Sequence, residues 1–261
     1  MQLTAAETRK IIRIADLILA SKDLVVFTGA GISTESGIPD FRSPGGIWTR
    51  FDPDDFTIQK YVSDPESQRK QWSLLEEGSL INAQPNRAHY AVAELERMGK
   101  LTCVITQNID NLHQKAGNSP EKVLELHGTF GWTRCMSCGS RYTSELMLGR
   151  FRGNREIPHC DHCSGLIKPD VVFFGESLPS GTLEQASHCS QACDLFIVIG
   201  SSLVVYPAAF MPAYAKQSGA DLVIINNSQT DMDSQADVVV QGSAGETMEN
   251  ILSRVRAGLC V

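Results

Sequence analysis

The sequence lacks an excess of positive charge, any long apolar run and any internal repeat. Its 23 Lys and Arg stand against 30 Asp and Glu, a formal net charge of −7. No general attraction therefore draws the chain to nucleic acid or to an anionic membrane, and direct nucleic-acid binding is not expected. No apolar stretch approaches the roughly 20 residues needed to span a bilayer. The opening stretch, MQLTAAETRKIIRIADLILASK, interrupts its apolar residues with charges at helical spacing, so it reads as an amphipathic helix and not as a signal peptide. A G-x-S-x-G elbow is also missing, and with it the signature of a serine hydrolase.

What is present is an ordinary globular composition, 42% hydrophobic and 20% charged over 261 residues, enough chain for one large domain or two. Thr4 and Glu7 have capping-box spacing, and Ile11, Ile14 and Ile18 repeat at helical spacing up to Ser21 and Lys22, which predicts a first helix. Short apolar runs follow at DLVVFT (Asp23 to Thr28), LTCVIT (Leu101 to Thr106), DLFIVIG (Asp194 to Gly200), DLVIIN (Asp221 to Asn226) and ADVVV (Ala236 to Val240). Helical patterns lie between several of them, such as Ala88, Val92 and Leu95 after Pro85 and before Gly99. Strand and helix in alternation predict an α/β fold, a parallel sheet with helices on both faces.

Two segments break the alternation. Ser33 to Phe56 is rich in Gly, Pro and Asp and opens into a helix-compatible stretch reaching about Asn82; long ordered loops of this kind tend to be functional. The second segment carries Cys135 and Cys138, then, after 21 intervening residues, Cys160 and Cys163. Four thiolates in two such turns suit one tetrahedral zinc ion, with redox cysteines as the alternative reading, and four sulfurs would leave a zinc ion no open position for catalysis. Paired this way and with no export signal, the cysteines point to a reducing cytoplasm and not to secreted disulfides. His159 and His162 flank Cys160 but are not needed as ligands. His113 and His188 are expected to be solvated or capping residues, His89 to face out from its helix, and Cys103, Cys189, Cys193 and Cys260 to be small apolar or surface residues. His127 is left without a structural explanation.

The turn after the first strand, TGAGIS, places Gly29 and Gly31 where backbone amides approach a pyrophosphate, although the third glycine of the dinucleotide fingerprint is absent. Glycine turns after strands are common, so the motif alone decides little. GSSL (Gly200 to Leu203) and INN (Ile225 to Asn227) end two further strands, and ligands of open parallel sheets sit beyond such ends. At a fourth end, TQNID supplies Gln107, Asn108 and Asp110, the amides and carboxylate that suit an amide-bearing ring and a ribose; the alternative is a turn with an Asx cap.

GAGIS, GIPDFRS (Gly37 to Ser43), TQNID, LHG (Leu126 to Gly128), the two Cys-x-x-Cys pairs, KPDVVFFGE (Lys168 to Glu176) and GSSL occur in the order found in sirtuins. From about Leu24 to Asn226 the chain resembles these NAD-dependent protein lysine deacylases of bacterial or archaeal type. The resemblance implies conversion of acetyl-lysine and NAD to lysine, nicotinamide and 2'-O-acetyl-ADP-ribose. Protein ADP-ribosylation, or removal of longer apolar acyl groups, is the alternative, and a non-catalytic module that senses NAD or nucleic acid stands further off. By the same resemblance His127 is the general base acting on a ribose hydroxyl, and Asn108 orients ribose and water. Asp110 and Ile109 hold nicotinamide, while Gly29, Ala30, Gly31, Thr34, Phe41, Arg42 and Gln107 line the rest of the cofactor site. Gly200, Ser201, Ser202, Asn226 and Ala244 fall at the adenosine end. Val171, Val172, Phe173 and Phe174 form a strand that pairs with the substrate peptide, and Cys135, Cys138, Cys160 and Cys163 hold zinc.

The corresponding fold is a Rossmann-like NAD-binding domain of residues 1–44, 86–133 and 168–261. Residues 45–85 and 134–167 form a small domain, a helical insertion with a four-cysteine zinc ribbon. Desuccinylating relatives carry a Tyr and an Arg three residues apart in the insertion, where this chain has Trp72 and then Ser73, Leu74 and Leu75, with Arg69 nearby. An acetyl group is therefore expected over a succinyl group.

Overall fold

The computed structural model describes residues 4–41, 43–78 and 82–259. The first strand, β1 (Leu24–Thr28), is buried at every position, as a strand must be when both faces of its sheet are covered. It lies fourth from one edge of a six-stranded parallel sheet in the order β3 (Val123–Glu125), β2 (Leu101–Thr106), β1, β7 (Leu195–Ile199), β8 (Asp221–Asn226), β9 (Val238–Gln241). Because side chains alternate along a strand, Val26, Ile197 and Val223 point to one face and Phe27, Val198 and Ile224 to the other. The first face packs against α1 (Ala5–Ala20), α4 (Arg87–Arg97) and α9 (Ala244–Leu259). The second packs against α7 (Ser180–Ala192) and α8 (Met211–Gln217).

Helix α1 forms as its sequence predicts. Thr4 and Glu7 close a capping box, and Ile11, Ile14, Leu17 and Ile18 are buried every three or four residues. Each such side chain contributes roughly 1.5–3 kcal/mol by leaving water. Strand β9 starts at Val238, two residues later than the apolar run suggested, because Ala236 and Asp237 close the turn before it.

The register sets the strand ends level. Thr28 lies opposite both Thr106 and Ile199, and Ile199 opposite Ile225. The ladder runs one residue further: Gly29 N donates to Ile199 O (3.1 Å), Gly200 N to Ile225 O (2.9 Å) and Gln107 N to Thr28 O (2.9 Å). Gly29, Gln107, Gly200 and Asn226 are thereby brought to one carboxyl edge.

The two insertions share a separate core. Strands β5 (Arg141–Thr143), β4 (Gly128–Cys135) and β6 (Ile167–Val171) form a three-stranded antiparallel sheet. Against it lie α2 (Ile58–Ser63), α3 (Pro65–Glu77) and α6 (Ser144–Asn154), with Tyr61, Trp72, Leu75, Phe130, Phe151, Ile167 and Phe173 buried between. The Tyr61 hydroxyl donates to Ile167 O at 2.8 Å, tying the helical insertion to the zinc-ribbon sheet.

One expected strand is not formed. Val171 ends β6, and Val172 and Phe173 lie outside any strand, with Phe174 making only an isolated bridge to Thr57. The run VVFF turns because Phe173 is drawn into the small core while Phe174 is left exposed, and Gly175 follows with φ +88°.

Candidate active site

At the carboxyl edge the three glycines pack against one another. A Cβ on Gly29 or Gly31 would lie 2.8 Å from the Gly200 carbonyl oxygen, and one on Gly200, at φ +65°, would lie 2.2 Å from Ile32 N. The amide of Gly31 donates to that same carbonyl at 2.8 Å. These glycines are needed first for backbone-to-backbone contact between two strand ends. The turn after Gly29 is a 3₁₀ helix from Ala30 to Ser36, in which Thr34 Oγ1 donates to Gly31 O.

TQNID is tied to this turn. The Asn108 side-chain amide donates to Gly29 O (3.2 Å) and to Ser33 Oγ (3.1 Å), and Ser33 Oγ donates to Asp110 Oδ2 at 2.7 Å. Asp110 Oδ1 accepts from Leu112 N (2.9 Å), and burial holds the Asp110 carboxyl above its ordinary range. Ser201 Oγ donates to Gln107 Oε1 at 2.8 Å, which joins GSSL to the same set. Asn226 ends β8 with its side chain on Ser228, and Ala244 opens α9, whose Gly245 amide donates to Glu35 of the glycine turn. Arg42, expected to face phosphate, lies outside the described residues, as does Cys260.

Two histidines differ from expectation. His89 is fully buried and does not face out: Asn86 and His89 form a capping box, so Nδ1 accepts from Asn86 N at 3.3 Å, and Nε2 is left to reach Ser33 Oγ at 3.4 Å. His113 is buried too, neither solvated nor a cap, with Nε2 on Thr28 Oγ1 (3.0 Å); Thr28 Oγ1 bonds Thr106 Oγ1, which accepts from Asn108 N. The two rings meet edge-on at 5.1 Å. Ser33, His89 and His113 thus buttress Asn108 and Asp110 from behind. The sequence offered only polarity inside an apolar face as a clue to this layer.

Burial pushes His113 down to about 4, and burial together with the neighbouring His113 pushes His89 down to about 2. Between an ordinary value of 6.5 and those values the unfolded chain holds protons that the native chain does not, so stability falls as pH falls through that window. Glu125, pushed up to about 7 mainly by burial, acts in the opposite sense between 4.5 and 7, and Asp110 acts with it. The two buried imidazoles, joined by the part-buried His127, whose pKa is also lowered, outnumber these two carboxyls. The urea midpoint should therefore be lower at about pH 5.5 than at about pH 7, and a rising midpoint would contradict this charge assignment.

His127 follows β3, two residues past its end, at the same edge. Its Nδ1 lies 2.9 Å from Gln107 O. A carbonyl only accepts, so Nδ1 carries the proton and Nε2 keeps its lone pair. Burial lowers the His127 pKa, and the bond to Gln107 opposes the shift in part. The imidazole is a neutral base at neutral pH with its tautomer fixed by the backbone next to Asn108.

An aromatic cluster joins the cofactor loop to the segment after β6. Phe41 of the cofactor loop meets Trp48 at 5.2 Å, and Trp48 meets Phe56 at 5.3 Å and Phe174 at 6.1 Å. Trp48, overlooked in the sequence, joins the loop expected over the ribose to the segment expected to hold peptide. Val172 N donates to His127 O at 2.9 Å, so that segment is bonded to the backbone of the base itself.

The four cysteine sulfurs gather within 4.8 Å of one another, with Cys135 and Cys163 sulfurs 3.5 Å apart and Cys138 and Cys160 sulfurs 3.6 Å apart. A tetrahedron of zinc–sulfur bonds of about 2.3 Å has edges of about 3.8 Å, so the donor set fits zinc. His159 and His162 are exposed and outside this set; His159 Nδ1 meets Ser164 O, and His162 stacks on Tyr142. Cys103 and Cys193 are buried and Cys189 half-buried in the apolar core, all free thiols.

The Sir2 family model matches residues 29–207. An NAD-dependent protein deacetylase 1 of Pyrobaculum aerophilum is 46% identical over 255 residues, covering 97% of this chain and 97% of its own length. A solved Sir2 complex with a p53 peptide and NAD+ superposes with a TM-score of 0.85 at 40% identity, over 95% of this chain and 98% of that one. Sir2Tm bound to a propionylated peptide superposes with a TM-score of 0.84 at 40% identity, over 96% and 99%.

Proposed function

The chain belongs to the Sir2 family and catalyses NAD-dependent protein deacetylation, and we propose how its own residues divide that work. The observation that carries the reading is the His127 imidazole, its Nδ1 locked by the carbonyl of Gln107, the residue before Asn108, so that Nε2 keeps its lone pair at the carboxyl edge of a parallel sheet. NAD supplies an activated ribose carbon with nicotinamide as leaving group. His127 Nε2 takes the proton of a ribose hydroxyl, and Asn108, steadied by Gly29 O and Ser33 Oγ, orients the ribose. Asp110 and Ile109 grip nicotinamide; Gly29, Ala30, Gly31, Thr34, Phe41, Arg42 and Gln107 surround the remainder, and Gly200, Ser201, Ser202, Asn226 and Ala244 hold adenosine. Zinc is held by Cys135, Cys138, Cys160 and Cys163, away from the reaction.

The protein substrate enters along Val171, Val172, Phe173 and Phe174, where main-chain pairing reads little side-chain identity. We assign residues 1–44, 86–133 and 168–261 to the NAD-binding domain and residues 45–85 and 134–167 to the small domain, with β4 and β6 crossing the boundary and carrying Phe130 and Val171 into the small core. No described helix is long and apolar enough to cross a membrane, and a cytoplasmic location suits the unpaired thiols.

Trp72 and Leu75 are buried in the small core, and Arg69 is exposed on α3, so no guanidinium waits at the Tyr/Arg spacing of desuccinylating enzymes. Incubation of acylated peptides with and without NAD, read by mass spectrometry, should release nicotinamide and acetyl-ADP-ribose only when both substrates are present. A matched succinylated peptide should turn over at least about tenfold more slowly, since it lacks the charged partner that a buried carboxylate requires. Comparable turnover of the two would refute the acyl preference, and radiolabel fixed on protein would point to ADP-ribosylation instead.

A further inference from the structure

We propose that Lys168, with Glu176 as its counter-ion, is a positioning residue that shapes the segment Val171–Phe174 for the substrate backbone. The inference rests on the reading of that segment as the peptide-binding one.

Lys168 lies in β6 with only 10% of its side chain exposed. An ammonium so placed is costly unless its charge is paired and its three N–H groups are used. All three are used within the next eight residues: Nζ donates to Val171 O (2.5 Å), to Glu176 Oε2 (2.9 Å) and to Pro169 O (3.4 Å). Glu176 Oε2 also accepts from Phe173 N at 2.8 Å, and Glu176 N donates to Phe173 O at 3.0 Å. The ammonium stands 4.7 Å from the centre of the Phe173 ring, which adds a cation–π contact. The ion pair thus fixes the Val171 carbonyl and the Phe173 amide, and the Glu176 backbone amide holds the Phe173 carbonyl.

The neighbouring residues are anchored elsewhere. Val172 N donates to His127 O, Phe174 N to Phe56 O, and Ile58 N to Phe174 O. The segment therefore stands between the base and the helical insertion, and the Lys168–Glu176 pair is the part of its support that comes from within. This explains why VVFF turns instead of continuing β6. It also explains how so short a segment can present a fixed edge to an incoming peptide. Without the ammonium, the Val171 carbonyl has lost its partner and Glu176 its counter-ion. The Phe173 turn then loosens, while the glycine turn and Gln107, Asn108 and Asp110 keep every bond described for them.

The test uses the full-length, zinc-loaded chain. Lys168→Met should raise KM for an acetyl-lysine peptide about tenfold or more, the loss expected for a charged hydrogen-bond centre. KM for NAD and the affinity for ADP-ribose should not change. Lys168→Arg should restore most of the loss, and Glu176→Gln should move KM in the same direction as Lys168→Met; it also gives the readout if Lys168→Met does not fold. A folded Lys168→Met protein with the wild-type peptide KM, or one in which only kcat falls, overturns the proposal. A peptide N-methylated at the backbone amide beside the acyl-lysine separates the two levels. If wild-type protein is indifferent to that methyl group, the main-chain reading of Val171–Phe174 is wrong. If methylation raises KM but Lys168→Met does not, only the role of Lys168 fails.

Discussion

His127→Ala should reduce deacetylation by about 10²–10⁴-fold, the range supplied by a positioned general base, and leave the protein folded. The ring is only partly buried, and its one described polar bond is Nδ1 to Gln107 O, so its removal opens no large cavity and strands no charge. Zinc content and ADP-ribose affinity should match wild type. The pH profile of the wild-type enzyme carries a second signature. Burial lowers the His127 pKa from 6.5, and the neutral ring is the active form, so kcat/KM should rise with pH through a midpoint below that of a free imidazole. The acid limb reported by kcat/KM is that of the free enzyme. Full activity in His127→Ala, or an acid limb above about pH 7, the upper side of the ordinary imidazole range, would remove His127 from this role.

The layers of the site were unequally legible in the sequence. The strands were readable because a doubly covered parallel sheet writes itself as unbroken apolar runs, and LVVFT and LFIVI are buried at every residue. The cysteine spacing is a covalent constraint with one common meaning, and the sulfurs do converge. Residues of the site edge follow strands, so their placement came with the strands. His89 and His113 were misplaced for the opposite reason. A histidine is equally compatible with solvent and with a satisfied interior, and only the fold shows Ser33 and Thr28 waiting for them. The turn at Val171–Phe174 was hidden similarly: four apolar residues have strand propensity, but Lys168 and Glu176, on either side, override it. Trp48 sits in a Gly- and Pro-rich stretch with no periodicity to signal that it joins Phe41 to Phe174.

Removing zinc should dismantle the small core, abolish turnover and leave the six-stranded sheet folded. Structural zinc sites in small modules carry apparent binding energies of about 10–16 kcal/mol, more than a core of this size supplies by itself. Cys135 and Cys160 are themselves buried among Phe130, Phe151 and Ile167, so loss of the ion exposes that core directly. The damage then passes along β6, which runs from Ile167 to Val171 and delivers the peptide segment. The larger sheet has its own two cores. All three tryptophans of the chain report on the affected side: Trp72 is buried in the small core, Trp132 lies on β4, and Trp48 lies against Phe174. Chelation at neutral pH should therefore red-shift tryptophan emission in step with zinc release and loss of activity, while most far-UV helical signal persists. Cobalt substitution should give a thiolate spectrum indifferent to NAD and peptide, because four sulfurs leave no position for either. A zinc-free protein with unaltered emission and full turnover would refute the structural role. A cobalt spectrum that shifts with substrate would show that the ion takes part in the reaction.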